Sequence, residues 1–426
     1  MSTAPTPPLS FREVLKISAL RRLWLAQLVS VFGDFLAIYA VFSVVSFRMH
    51  GSATDVTLVL VSYLAPLAVI SPIAGVFVDT WNVKRTMIAS DLTRAVLFIL
   101  LLFSNALWQI YAVLFLASTV SSFFMPAQSI TVRTLVPRHG LMSANALIQQ
   151  AFFVMQIVSP AIAGLMVSAF GANSCFWVDS GSFLFSAAML STLAIGHQPS
   201  PAMKSLNAVW TEMRSGVKFI FTHATISFVV IAMTAGMFAI RCFGALLAVY
   251  VRDVLHGGTK LFGNLGSLIG FGMIIGTQLV RLGSKRWPGS RIVTAGLTGA
   301  GVAIAFMAMF GSVPVAVAMM LGLGFFAALV FVPAQALIQE HTPQNMLGRV
   351  SGSLMAVMFS SQVIALLSSG ALATSLGIRN VYFGSAVLLF AIAGGAFYWL
   401  SRDRSGEPPV GASAPPAPVP LPSEAD

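Results

Sequence analysis

Between Leu20 and Leu400 the chain is a succession of apolar runs, each long enough to cross a bilayer. About 20 apolar residues of helix span a hydrocarbon core. The runs are continuous rather than alternating at period two, so helices are expected and a β-barrel is not. We place twelve spans at residues 20–47, 56–79, 86–104, 107–134, 142–169, 174–196, 224–251, 260–282, 291–310, 313–338, 347–375 and 378–400. Charged residues make up 9% of the chain, against roughly a quarter in soluble domains, and that difference decides the class. The expected fold is an all-α membrane protein with twelve transmembrane helices in two pseudo-symmetric six-helix halves.

The net charge of +11 would suggest nucleic acid in a soluble protein. Here the bias of Lys and Arg toward cytoplasmic loops accounts for it. An even number of spans puts both termini on one side. With that side cytoplasmic, 18 of the 24 basic residues fall there. Arg48, Arg252, Lys260 and Arg379 fall outside, and Arg94 and Arg241 lie within spans. The expected setting is the plasma (inner) membrane, multi-pass, with both termini cytoplasmic and lipid, not nucleic acid, around the chain. No cleavable signal peptide is expected.

By composition the chain divides into a cytoplasmic tail (1–19), a six-helix bundle (20–196), a cytoplasmic linker (197–223), a second six-helix bundle (224–400) and a Pro-rich tail (401–426) expected to be disordered. In the linker Leu206, Val209, Trp210, Met213, Val217 and Ile220 recur at helical spacing, which predicts an amphipathic helix on the membrane face. Cys175 and Cys242 form no metal or redox spacing. The sequence has no nucleotide loop, metal cluster or nucleophile constellation, so neither an enzyme nor a cofactor is expected.

Pro-Ala-Gln occurs at 126–128 and again at 333–335, 207 residues apart. Each copy lies near the same end of a long span, and a second Pro follows in a short loop. With the matching six-span blocks this points to internal duplication, the build of many secondary transporters.

The segment "GVFVDTWNVKRTMIASDLTRA" after the second span resembles the signature loop of the major facilitator superfamily, Gly-x-x-x-Asp-Arg-x-Gly-Arg-Arg. Gly75 and Asp79 match, and Lys84 and Arg85 supply the basic end one residue late. Thr80 and Asn82 stand where the pattern has Arg and Gly. "SDLTRA" and both Pro-Ala-Gln sites look like the branch of siderophore exporters and macrolide efflux pumps. "QIVSPAIAGLM" in the fifth span resembles a weakened antiporter element, Gly-Pro-x-x-Gly-Gly. The mid-membrane Arg that many drug antiporters carry in span 4 is absent, since Arg133 lies at the span's end. The resemblance implies alternating access and a cytoplasmic gate in which Asp79 latches to span 11 near "MLGRVSG". Gly75 would let span 2 approach a neighbour closely. Asp91 and Arg94, spaced i and i+3, are expected to pair and, with Lys84 and Arg85, to belong to that gate.

Asp34 stands alone in mid-span, with no charge within ten positions on either side. A charge there is costly and calls for a partner or a function. Gln27, Ser30 and Asp34 share one helix face. Arg241 lies 207 residues beyond Asp34, at the Pro-Ala-Gln offset, which would set the two opposite each other on spans 1 and 7. Three readings of Asp34 stand. It carries a coupling proton, because desolvation favours a neutral acid; it forms a permanent salt bridge with Arg241; or it binds a cationic substrate. Asp179 in span 6 either hydrogen-bonds a neighbour such as Ser182, the favoured reading, or carries a proton. Asn145, Gln149 and Gln156 share a face of span 5, and Gln362 is Gln156 plus 206. Gln156 and Gln362 either line the cavity or join helices; Ser118, Ser122 and Ser129 are read as joining helices.

The leading expectation is a proton-coupled secondary transporter that exports amphiphilic small molecules of the drug, macrolide or siderophore type. Export rests on the resembled branch, and a monomer suffices. The alternatives are a lysophospholipid or lipid flippase of the same fold and a membrane sensor that transports nothing.

Overall fold

The computed structural model describes residues 9–196, 206–222, 224–283, 287–342 and 347–402. Among them there is no strand. A short helix α1 (Phe11–Lys16) precedes α2 (Ser18–Ser43), which ends in a π-turn at Val44–Arg48. Then come α3 (Ala53–Val78), α4 (Val83–Leu100), α5 (Leu107–Leu135), α6 (Leu141–Phe170) and α7 (Ala172–Ser191). The linker helix α8 (Leu206–Thr222) leads to α9 (Ala224–Asp253), α10 (Thr259–Gly283), α11 (Gly289–Met309), α12 (Val313–His341), α13 (Leu347–Leu376) and α14 (Ile378–Arg402). Eleven of the spans are long and apolar enough to cross a membrane. The twelfth, α7, is diluted by Asp179 and its serines.

The duplication is exact in helix register. Ala53, Val83, Leu107 and Ala172 start four of the first six spans, and each of these starts recurs 206 residues later, at Thr259, Gly289, Val313 and Ile378. The left-handed backbone positions His50 and Gly171 recur at the same offset, as His256 and Gly377. Packing repeats too. In the N-terminal half α2 packs on α6 and α7, and α4 on α5 and α7, while α3 packs on α5; every one of these pairs has its counterpart in the C-terminal half.

Residues 9–19 of the expected tail pack on the bundle. Ser10 caps α1 in a reciprocal arrangement with Glu13, Val14 is buried, and Ser143 Oγ donates to the Leu9 carbonyl at 2.6 Å. Helix α8 forms over the expected linker and packs against α13 and α9, with Ile220 buried and Arg214 and Lys218 exposed. The Pro-rich segment 403–426 lies outside the described residues.

The two halves meet through two equivalent pairs, α6 with α10 and α3 with α13. Small residues allow the first approach. A Cβ on Gly164 would lie 3.2 Å from the Gly263 Cα, and one on Gly263 would lie 2.9 Å from the Gly164 Cα. Pro160 interrupts the α6 ladder, and the next N–H, of Ala161, is satisfied across the interface by Ser267 Oγ at 3.0 Å. In the second pair Thr54 Oγ1 donates to the Gly370 carbonyl at 3.1 Å. Arg252 at the end of α9, held by Asp253, donates Nη1 to the carbonyls of Ser46 and Gly51 at 2.6 and 2.9 Å. Among the described residues, these links between the halves lie in the part of the bundle farther from the termini.

Replacing Arg252 with Ala removes two charge-assisted bonds, each worth about 1.5–3 kcal/mol. Spin labels on the exposed loop residues Asn105 and Ser312 should then report a longer, broader distance than in the unmodified background.

Candidate functional site

Away from the ends of the described helices three carboxylates enter the spans, all in the N-terminal half: Asp34 on α2, Asp91 on α4 and Asp179 on α7. Helix α4 supplies their cation. Arg94 stands eleven residues past Val83, roughly 16 Å along the helix, and is 4% exposed. It pairs with Asp91 one turn back, as its spacing predicted. Its Nη1 also lies 3.8 Å from Asp34 Oδ2 and 3.5 Å from Ser121 Oγ. The rings of Phe183 and Phe124 cover the guanidinium carbon at 4.2 and 4.8 Å. They exclude lipid and add cation–π attraction of about 0.5–2 kcal/mol.

Gly33 brings α7 into the cluster. A Cβ there would lie 2.5 Å from Asp179 Oδ1, so no larger residue fits between the helices. Ser182 Oγ donates to the Asp179 carbonyl at 2.7 Å and reaches its Oδ1 at 3.4 Å, the neighbour expected from the sequence. Asp91 Oδ2, Asp179 Oδ2 and Arg94 Nε are buried without a hydrogen-bond partner among the described residues. Asp34 differs in access: its side chain is 21% exposed, whereas that of Asp91 is fully buried. Of Asp34 and Asp91, the two carboxylates beside Arg94, only Asp34 is therefore accessible.

Arg94 is thus the residue whose role sequence reasoning missed. It was expected at a gate and instead lies at the centre of the charge cluster, beside Asp34. Its depth along α4 was the available signal. The other gate residues go elsewhere. Lys84 donates to the Ser191 carbonyl at 2.7 Å, and Arg22 to that of Thr192 at 3.2 Å. Both cations serve the C-terminal end of α7, where free carbonyls and the helix dipole favour them. Arg85 is exposed. Asn82, the departure from the signature, caps α4 by accepting from the Arg85 N–H at 3.1 Å. Asp79 ends α3 and is half-buried; much of the span-11 segment expected to meet it lies outside the described residues. Among the described atoms a Cβ on Gly75 would meet nothing within 4 Å, so the close approach expected at Gly75 is absent.

The polar stripes separate as well. Gln27 Oε1 accepts from Gln128 Nε2 at 2.9 Å, joining α2 to the first Pro-Ala-Gln. Ser30 is buried, Gln149 is exposed and Gln156 is half-buried. Gln362 is buried, bonds the Met358 carbonyl at 3.3 Å and leaves Oε1 without a partner among the described residues. Ser118 and Ser122 donate to the carbonyls of Tyr63 and Pro66 on α3, joining helices as read.

Among the described residues Asp34 lies beside Arg94, and no ion pair joins it to Arg241. At the true repeat offset of 206 the counterpart of Asp34 is Ile240, and one residue turns a helix position by about 100°. The titratable group beside Arg241 is the phenol of Tyr39. Pro126 and Pro333 are out of register by the same single residue. Their glutamines consequently differ, with Gln128 half-buried against Gln27 and Gln335 exposed.

A family model described as Major Facilitator Superfamily matches residues 23–366 and 284–423. The chain belongs to the major facilitator superfamily. This transporter is 26% identical over 351 residues to the multidrug efflux pump Tap of Mycolicibacterium fortuitum, across 78% of this chain and 84% of Tap. It is 25% identical over 386 residues to macrolide efflux protein A of Streptococcus pyogenes, across 87% of this chain and 93% of that protein. The solved structure of a bacterial homolog to the human lysosomal transporter Spinster has the same fold, with a TM-score of 0.70 at 12% identity over 90% of this chain and 97% of that one. The family and these relatives are transporters rather than enzymes.

Removing Arg94 from this superfamily member leaves buried carboxylates unpaired. The Arg94→Ala protein should lose about 3–5 kcal/mol of stability, read as a large fall in the melting temperature in detergent, whereas Arg85→Ala should leave it unchanged.

Proposed function

We propose that this transporter is a proton-coupled exporter of amphiphilic small molecules and that Asp34 is its coupling carboxylate. The observation that carries this reading is the access of Asp34 at the edge of an otherwise sealed cluster. Three carboxyl groups around one guanidinium are electroneutral with two protons bound, and uncompensated charge in a membrane interior is costly. Protonation of Asp34 removes its attraction for Arg94, and release of the proton restores it. That exchange biases the rocking of the two halves, because it changes the relative stability of their arrangements. The positions of the basic residues support cytoplasmic termini, and the seal far from the termini then closes the outer side. This is the inward-open member of an alternating-access cycle, in the plasma membrane, and a monomer is sufficient for it. Likeness to Tap and to macrolide efflux protein A supports the outward direction.

The test is accumulation of cationic, neutral and anionic fluorescent amphiphiles in cells lacking their own pumps. At least one should accumulate less when the protein is made, and the effect should vanish with an uncoupler and in Asp34→Asn. Efflux that survives both would contradict proton coupling at Asp34.

A further inference from the structure

The transport reading leaves Arg241 unused. It lies near the middle of α9 and is half-buried. Among the described residues no ion pair or hydrogen bond reaches it, and the titratable group facing it is the Tyr39 phenol. The described spans of the C-terminal half carry carboxylates only at their ends: Asp253, the last residue of α9, held by Arg252, and Glu340, next to the last residue of α12. The mid-span acids of the N-terminal half are gathered about Arg94, with Asp34 3.8 Å from it. A guanidinium keeps its charge. An unpaired one in mid-membrane is retained where it faces a water-filled cavity or a ligand pathway.

Tyr39 shows where that pathway lies. Its ring centroid is 5.2 Å from that of Phe262 and 6.2 Å from that of Phe42, and Phe47 lies 6.5 Å from Phe262. These four rings join α2 and its π-turn to α10, in the part of the bundle where the halves are sealed. Arg241 therefore adjoins an aromatic plug between the halves. A forked donor beside a phenol and apolar rings suits a molecule with a carboxylate, sulfonate or phosphate group and an apolar body.

We infer that Arg241 is an anion subsite and that the transported amphiphile carries a negative headgroup. This inference rests on the transport reading of the same cavity. A bound anion compensates Arg241 without drawing Asp34 away from Arg94, so proton exchange and substrate binding use separate groups.

Three probes that share one fluorophore test it: dansylglycine (an acid), dansylglycinamide (neutral) and dansylcadaverine (a cation). Binding is titrated on the full-length protein in nanodiscs, with Arg241→Gln and Arg241→Lys beside the unmodified chain. The unmodified protein should prefer the acid to the amide by about tenfold, the scale of one charge-assisted bond. Arg241→Gln should abolish the preference and Arg241→Lys should retain part of it. Without ligand, Arg241→Gln should melt no lower than the unmodified protein, because an unpaired charge is removed. The acid should raise the melting temperature of the unmodified protein and not that of Arg241→Gln. No acid preference in the unmodified protein, a preference that persists in Arg241→Gln, or a lower ligand-free melting temperature in that variant would each overturn the inference. Coupling is read separately. Uncoupler-sensitive efflux without acid preference sinks the anion subsite alone; acid preference without uncoupler sensitivity sinks proton coupling alone.

Discussion

A guanidinium 4% exposed among three carboxyl groups ties the N-terminal half together. Arg94 sits where neither water nor lipid can compensate it, so its partners must come from other parts of the fold. Asp91 comes from its own helix and Asp34 from α2, and α7 closes the cluster with Asp179, Phe183 and the contact at Gly33. Each member holds the others in place, because the loss of one leaves the rest with unbalanced charge. Three helices are thereby fixed around a single point near the membrane centre.

The two halves share a backbone plan and differ in charge. Helix starts, packing partners and left-handed turns all repeat at 206 residues. The charge cluster does not repeat. Among the described residues near the middle of the C-terminal spans the charge is that of Arg241, one position out of step with Asp34. Duplication thus supplied two rigid bodies of one shape, and divergence at a few mid-span positions gave them different electrostatics. In the proposed mechanism that difference separates proton loading on one half from substrate recognition on the other.

Much of the fold was legible in the sequence, because spans of this kind are set by length and hydropathy alone. The Asp91–Arg94 pair and the Asp179–Ser182 contact were legible for a similar reason: both are local spacings on one helix. What failed was long-range registration. The Pro-Ala-Gln repeat suggested an offset of 207, but the helices repeat at 206, so the counterpart of Arg241 is Phe35 and not Asp34. The contacts of the basic gate residues are a different case. Where Lys84 reaches depends on the end of α7, more than a hundred residues later, and no local pattern records that. The loop signature identified the superfamily correctly while saying little about what its basic residues touch here.

The most direct test of proton exchange at Asp34 is made on the purified protein in liposomes, with a pH-sensitive dye inside and an imposed gradient of the amphiphile that the cells export. Proton movement opposite to the substrate, absent in Asp34→Asn liposomes that still bind substrate, is the expected result. Substrate movement with no accompanying proton flux, or a flux unchanged in Asp34→Asn, would contradict the role given to Asp34 and its cluster.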